Sequence, residues 1–312
     1  MHRIFIDGRE GTTGLRIYER IQAVKDIELL LLSEEDRKDS KKRQEMIHAS
    51  DVTFLCLPDA AAKEAVALAQ GSSTRIIDAS TAHRTKDDFV YGFAELGDGQ
   101  YGAIAKGDRI AVPGCHASGY IALIYPLVQA GLLSPSAHLC CTSLTGYSGG
   151  GKSTIAAYQD EKRSAEYESP RHYALAQTHK HLKEMSHISG VQAPPVFNPV
   201  IGDFYAGMIV SVPLHAALLE KKAGAKDIAA VYGAHYANRP LIRVLPYTGE
   251  NGFYAANALA GYDTMEIVVT GNDERLTLMA RYDNLGKGAS GAAVQCMNIM
   301  LGKDETDTLK LH

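Results

Sequence analysis

The first twenty-four residues constrain the fold most. "HRIFID" (2–7) reads as a short apolar strand, and "GREGTTG" (8–14) follows at once with Gly8, Gly11 and Gly14 at three-residue spacing. "LRIYERIQAV" (15–24) then places Leu15, Ile17, Ile21 and Val24 at roughly helical period. Strand, glycine turn and helix are the opening of a dinucleotide-binding unit. The glycines let the backbone approach a pyrophosphate held at the helix N-terminus. The spacing departs from the usual G-x-G-x-x-G, but the rhythm continues. "IELLLL" (27–32), "DVTFLCLP" (51–58) and "TRIIDAS" (74–80) are further strand-like runs, separated by helix-like stretches such as "DAAAKEAVALAQ" (59–70). That alternation predicts a parallel α/β sheet.

A site that prefers NAD commonly has an acidic residue at the end of the second strand, where it holds the ribose 2′-hydroxyl. Here Ser33 takes that place, with Arg37 and Lys38 close behind. A hydroxyl plus cations suits a 2′-phosphate better, which points to NADP, although Glu34 and Glu35 oppose it.

Bulk properties exclude several classes. At 312 residues the chain has length for two domains, and its 22% charged and 46% hydrophobic residues are ordinary for a globular enzyme. A net charge of −4 argues against nucleic acid as a partner, and "RKDSKKR" (37–43) reads as a solvated face. No apolar run is long enough to span a membrane, and no signal-peptide pattern precedes the first strand. The five cysteines lack CxxC spacing, which favours reduced thiols in a cytoplasm over disulfides or a metal site.

"IAVPGCHASGYIALIYPL" (110–127) carries the chemistry. A strand ends at Pro113-Gly114 and a helix begins after Cys115. A thiol at a helix N-terminus gains from the positive end of the dipole, which raises its thiolate fraction. Gly114 and Gly119 are expected to leave room for substrate beside the sulfur. Cys56, Cys140 and Cys141 lie in strand-like runs and read as small buried hydrophobes. A nucleophilic thiolate wants an acid/base partner, and "QTHKHLKEMSHISG" (177–190) offers His179, His181 and His187. Read as one helix, Ala174, Thr178, His181, Met185 and Ile188 share a face, so His181 points inward and His179 elsewhere. Glu184 would then orient the His181 imidazole.

With these pieces in view the chain resembles the N-acetyl-γ-glutamyl-phosphate reductases, in their shorter branch, within the aspartate-semialdehyde dehydrogenase superfamily. The matching segments are "GREGTTG", "IDASTAHR", "VPGCHASGY", "GYSGGGK", "HKHLKEM" and "DNLGKGASGAAVQCMN". The resemblance implies Cys115 as nucleophile and His181, the second His of "HKH", as acid/base. It implies substrate phosphate at Ser80 and Arg84, and cofactor at Gly8, Gly11, Thr12, Thr13, Gly14 and Asn284. Ser148 and Gly149 belong to a glycine turn that relatives keep near the active site. Longer-branch relatives have an Arg within the segment matching "PVIGDFYAGM" (199–208), and this chain has none there. Arg163 and Arg171 are the candidates for the substrate's carboxylate. The implied partner is a small acyl phosphate, and the implied assembly a homodimer or homotetramer.

"GYSGGGKS" (146–153) also fits the P-loop pattern, with "HLCCTSLT" before it as strand and "TIAAYQDEKR" after it as helix. A P-loop enzyme also needs an Asp at the end of an apolar strand to hold Mg²⁺, and no convincing one follows residue 153. The match reads as accidental. The expected fold is a Rossmann-type NADP-binding domain over 1–114 with the C-terminal helix 291–312. An α+β substrate domain with a mostly antiparallel sheet is expected over 115–290. Rival readings are a sister reductase of aspartyl or aminoadipyl phosphate, a P-loop nucleotidase and a non-catalytic NADP-binding regulator.

Overall fold

The computed structural model describes residues 1–246 and 252–312. They form two compact units: Met1–Ala94 with Asp98–Pro113 and Ala289–Leu309, and Gly114–Gly288 with Glu95–Gly97 and Lys310–His312. Two short segments depart from the boundaries read from sequence. Glu95 is fully buried against Lys287, at 2.6 Å, and so goes with the second unit. Lys310 exchanges hydrogen bonds with Asp263: its carbonyl accepts from Asp263 N–H at 2.7 Å, and its own N–H donates to Asp263 Oδ2 at 2.9 Å.

The first unit begins β1 (His2–Asp7), α1 (Thr12–Ile21), β2 (Ile27–Leu30), α2 (Ser40–Ala49), β3 (Val52–Leu55), α3 (Asp59–Leu68) and β4 (Arg75–Asp78). It continues with β5 (Val90–Tyr91), α4 (Asp98–Lys106) and β6 (Arg109–Ala111). The strands form one sheet in the order β2-β1-β3-β4-β6-β5, parallel throughout. Period-two alternation explains why β1 is apolar on both faces. Ile4 and Ile6 pack with Ile17 and Ile21 of α1, while Phe5 packs with Ile47 of α2 and Ala65 of α3. Strand order reverses at β1, which has β2 on one side and β3 on the other. In such sheets ligands bind at the carboxyl end of this switch point.

The second unit runs α5 (Cys115–Gln129), β7 (Cys140–Gly146), α6 (Gly151–Gln159), β8 (Arg171–His172), α7 (Leu182–Ser189), β9 (Val196–Gly202) and β10 (Met208–His215). Then come α8 (Ala225–His235), β11 (Ile242–Val244), β12 (Met265–Gly271) and β13 (Arg275–Tyr282). Its sheet has the order β11-β12-β13-β10-β7-β9-β8. The pairs β12–β13, β13–β10, β10–β7 and β9–β8 are antiparallel, and β11–β12 and β7–β9 parallel. The fold is therefore α/β, a Rossmann-type unit plus a mixed, mostly antiparallel unit. The chain then returns to the first unit as α9 (Gly291–Met300).

Buried α5 lies on β10 and β13 and carries Pro126 in its interior. Proline has no N–H for the carbonyl four residues back. The hydroxyl of Tyr236 donates to that carbonyl, Ala122 O, at 2.8 Å, and Tyr232 donates to Leu123 O at 2.6 Å. No helix among the described residues is long and apolar enough to cross a membrane.

Candidate active site

Cys115 is the first residue of α5, and Gly114 caps the helix with extended backbone. Ser118 N–H and Ser118 Oγ both donate to Gly114 O, at 2.9 and 3.0 Å. Gly114 N–H donates to Glu184 Oε1 of α7 at 2.7 Å. Glu184 thus holds the backbone just ahead of the thiol, a task that the sequence reading did not give it. The half-buried Cys115 meets the positive end of a fifteen-residue helix, the setting that favours a thiolate. The space at Gly119 is not a substrate cavity. A Cβ there would lie 2.7 Å from Tyr282 Oη and 2.7 Å from Val210 Cγ2, so protein already fills it.

The histidines lie together, but not by helical phase. Ala174 and Gln177 have positive φ, 51° and 56°, which breaks any helix through "ALAQTHKH". Gln177 instead pairs with the β9 backbone: its Nε2 donates to Phe197 O and its Oε1 accepts from Phe197 N–H, both at 2.8 Å. The helix α7 starts only at Leu182, with His181 as N-cap, buried, its carbonyl accepting from Met185 N–H at 2.8 Å. His179 is therefore not on an opposite face. Its ring centroid is 4.7 Å from that of His181, and its Nδ1 accepts from His181 N–H at 3.2 Å.

Both rings are 5.5 Å from His116, the residue after Cys115, which the sequence reading passed over. His116 Nδ1 lies 2.6 Å from Ser143 Oγ, and its Nε2 lies 2.6 Å from Tyr173 Oη. Burial first, then His179 and Lys180, pushes His116 down to about 3. It is a neutral imidazole with one donor and one acceptor in the row Ser143–His116–Tyr173. Burial first, then Cys115, pushes the Tyr173 phenol up, so it too stays protonated. Adjacency to the cysteine was the only sequence signal for His116.

In the first unit the glycine turn closes the end of β1. Gly8 has φ +87°, and a Cβ on it would lie 2.4 Å from Cys56 O; one on Gly14 would lie 2.5 Å from Gly8 O. Gly11 caps α1, whose first residues are Thr12 and Thr13. A tight turn that excludes side chains, leading into a helix N-terminus, fits a dinucleotide pyrophosphate. Ser33 lies past β2, where its hydroxyl donates to Asp36 Oδ2 at 2.9 Å. Arg37 faces Glu34 at 3.8 Å, and both Arg37 and Lys38 lie on the short turn Asp36–Lys38.

Past β4, Asp78 organises the next loop. It accepts from Ser80 N–H and Ser80 Oγ, both at 2.8 Å, and stands 2.6 Å from His83 Nδ1. Ser80, which the resemblance places at the substrate phosphate, thus has its hydroxyl turned to Asp78. Arg84 is buried and donates to Val112 O at 2.9 Å and Ala79 O at 3.2 Å, holding its guanidinium at the carboxyl ends of β6 and β4.

The segment 146–153 does run from strand to helix, but its first three amides face protein. Gly146, Tyr147 and Ser148 N–H donate to Gly207, Phe204 and Tyr205 carbonyls, each at 2.9 Å. A phosphate cradle needs such N–H groups turned outward. Ser148 Oγ accepts from Asn284 Nδ2, and Asn284 Oδ1 accepts from Gly207 N–H, both at 2.9 Å. Asn284 and Ser148 are thus neighbours, with Gly149 beside them.

Arg163, a candidate for the substrate's carboxylate, pairs with a carboxylate of the chain itself: two of its nitrogens lie 2.9 and 2.6 Å from that of Asp203. Asp203 stands in the very segment that lacks the longer-branch arginine. Arg171 stacks over Tyr167, 3.9 Å from its centroid, with Glu166 at 3.9 Å. Cys140 is exposed, not buried, whereas Cys141 is buried.

Comparison with known proteins agrees with this layout. Residues 3–101 match the NAD binding domain of the semialdehyde dehydrogenases, and residues 115–284 match their dimerisation domain. An N-acetyl-γ-glutamyl-phosphate reductase 2 of Nostoc sp. is 42% identical over 97% of this chain and 98% of its own length. An N-acetyl-γ-glutamyl-phosphate reductase of Brucella ovis is 43% identical over 96% of this chain and 99% of its own. The chain belongs to the N-acetyl-γ-glutamyl-phosphate reductases. The first unit of this member of the reductase family is thus a domain for a nicotinamide cofactor. Among solved structures, aspartate semialdehyde dehydrogenase II of Vibrio cholerae matches 97% of this chain and 98% of its own at a TM-score of 0.71. The enzyme from Francisella tularensis matches 96% and 100% at 0.74. At 15% and 13% identity these two show that the reductase family shares the fold, and no more.

Proposed function

We propose that the chain reduces N-acetyl-γ-glutamyl phosphate to N-acetyl-glutamate semialdehyde and phosphate, the step of arginine biosynthesis that its relatives are named for. The observation that carries this is Cys115 at the start of α5, its preceding amide pinned by Glu184, with His179 and His181 gathered about His116, the next residue. The Cys115 thiolate adds to the acyl carbon and the carbonyl re-forms as the phosphate–carbon bond breaks, leaving a thioester. Arg84 neutralises the departing phosphate. Gly8, Gly11, Thr12, Thr13, Gly14 and Asn284 hold the dinucleotide, and Ser33, Arg37 and Lys38 favour its 2′-phosphorylated form. When bound, NADPH supplies the hydride that reduces the thioester. His181 gives a proton to the oxygen that thereby gains charge, then takes it back as the hemithioacetal C–S bond breaks and the carbonyl re-forms, which releases the aldehyde and returns the Cys115 thiolate. The dimerisation-domain match supports a homodimer or homotetramer.

The reverse reaction tests this reading. N-acetyl-glutamate semialdehyde, NADP⁺ and phosphate should give NADPH, with aspartate semialdehyde a far poorer substrate. NAD⁺ should be roughly ten- to a hundredfold weaker in kcat/KM, mostly through KM, for loss of one charge-assisted contact. Cys115→Ala should abolish turnover while NADPH binding persists. Equal turnover of the two semialdehydes, or activity that survives in Cys115→Ala, overturns it.

A further inference from the structure

Tyr282 ends β13 and is completely buried. Its hydroxyl donates to Cys115 O at 2.5 Å and accepts from Gly119 N–H at 2.9 Å. Cys115 O and Gly119 N are the two groups that an α-helical i to i+4 bond joins. The phenol oxygen therefore stands against the first turn of α5, the turn that carries the sulfur. It fits only because residue 119 is glycine, since a Cβ there would come within 2.7 Å of it.

Two further contacts fix the same point of the chain. Gly114 N–H is held by Glu184, and a Cβ on Gly288 would lie 3.1 Å from Cys115 Cβ. The amide before Cys115, its carbonyl and its Cβ are thus each set by a different element. Burial, with Cys115 next, pushes the Tyr282 phenol up, so the hydroxyl keeps the proton it donates.

The geometry points to Tyr282 as a positioning residue for the nucleophile: its hydroxyl holds the Cys115 carbonyl and the Gly119 amide of the first turn of α5 and so sets where the Cys115 sulfur sits. This rests on Cys115 being the nucleophile. The alternative, a hydroxyl that merely satisfies two buried backbone groups, makes a different prediction. In Tyr282→Phe those two groups still have each other as helical partners, so folding has no orphaned donor or acceptor to bear. What changes is the position of the sulfur, and a displacement near 1 Å costs about a hundredfold at most in a positioned reaction.

The test is Tyr282→Phe, compared with wild type and Cys115→Ala. Melting temperature should stay within about 4 °C, the shift that roughly 1 kcal/mol makes in a chain of this size. The KM for NADPH should be unchanged, and kcat should fall about tenfold. Iodoacetamide, followed by peptide mapping of Cys115, should label every molecule in one exponential phase. Its limiting rate at high pH should be lower by a similar factor. Wild-type kcat and labelling in Tyr282→Phe overturn the proposal. So does a fall in kcat with biphasic labelling, which marks a partly unfolded population. If Cys115→Ala remains active, the nucleophile reading itself fails, and that result is separate from the behaviour of Tyr282→Phe.

Discussion

His116 shows how one residue's surroundings set its chemistry. An ordinary imidazole titrates near neutrality, but burial first, then His179 and Lys180, hold this one neutral down to about pH 3. It is therefore not the group behind any activity change near neutral pH, and its work is structural, between Ser143 and Tyr173. The sign of its effect on stability follows. Its folded pKa lies below the unfolded value, so the unfolded chain binds the extra proton between the two. The stability it contributes is complete above about pH 6.5 and is lost as pH falls toward about 3. From pH 7 to pH 5 the loss should be about 2 kcal/mol. Urea unfolding at both pH values, on wild type and His116→Asn, measures it. The wild type should lose about 2 kcal/mol more than the variant over that interval. Equal losses would show that His116 takes a proton freely in the folded state.

At the scale of elements, glycines and tyrosines do what helix and strand propensity cannot. Gly8 and Gly71 both have positive φ, +87° and +80°. A side chain on Gly71 meets open space, whereas one on Gly8 meets the Cys56 carbonyl at 2.4 Å. Alanine at either should cost about 1–2 kcal/mol of backbone strain. Gly8→Ala should cost about 1–3 kcal/mol more for the clash and should weaken NADPH binding as the turn moves. Denaturant midpoints and cofactor titrations of the two variants separate these costs, and equal destabilisation would refute the packing role of Gly8.

The parallel sheet, the mostly antiparallel character of the second sheet and the helix beginning at Cys115 were legible because local pattern decides them: apolar runs, turns, a glycine before a helix. The histidine segment was not, because Gln177 pairs with β9 through its side chain and breaks the helical period. Tyr282, Tyr236 and the Arg163–Asp203 pair escaped for the same reason. Each meets a partner at least 40 residues away in sequence, and nothing local marks it.

At the scale of the molecule, the first unit is not complete until the end of the chain is made. Its sheet is finished by Ala111, yet one face of it packs against α9. From α9, Ala292, Ala293, Val294, Cys296, Met297, Ile299 and Met300 enter the same apolar cluster as Ile4, Ile6, Phe54 and Ile77. Arg75 at the start of β4 also donates to Met300 O at 2.6 Å. Burying a large aliphatic side chain contributes about 1.5–3 kcal/mol, and a domain's whole net stability is about 5–15 kcal/mol. Loss of α9 should therefore remove more than the unit has to spare. A fragment of residues 1–113 is expected to lack a cooperative urea transition and to bind no NADPH. A peptide of residues 289–309 added in trans should restore both, because it returns the missing face of the core. In the intact chain, Met297→Asp should act in the same direction by burying a charge in that cluster. It should speed hydrogen exchange in β1 and β3, far off in sequence, while leaving β10 and β13 protected. A fragment 1–113 that folds cooperatively and binds NADPH unaided would show that β-strands and local helices suffice, and that α9 merely covers a core already formed.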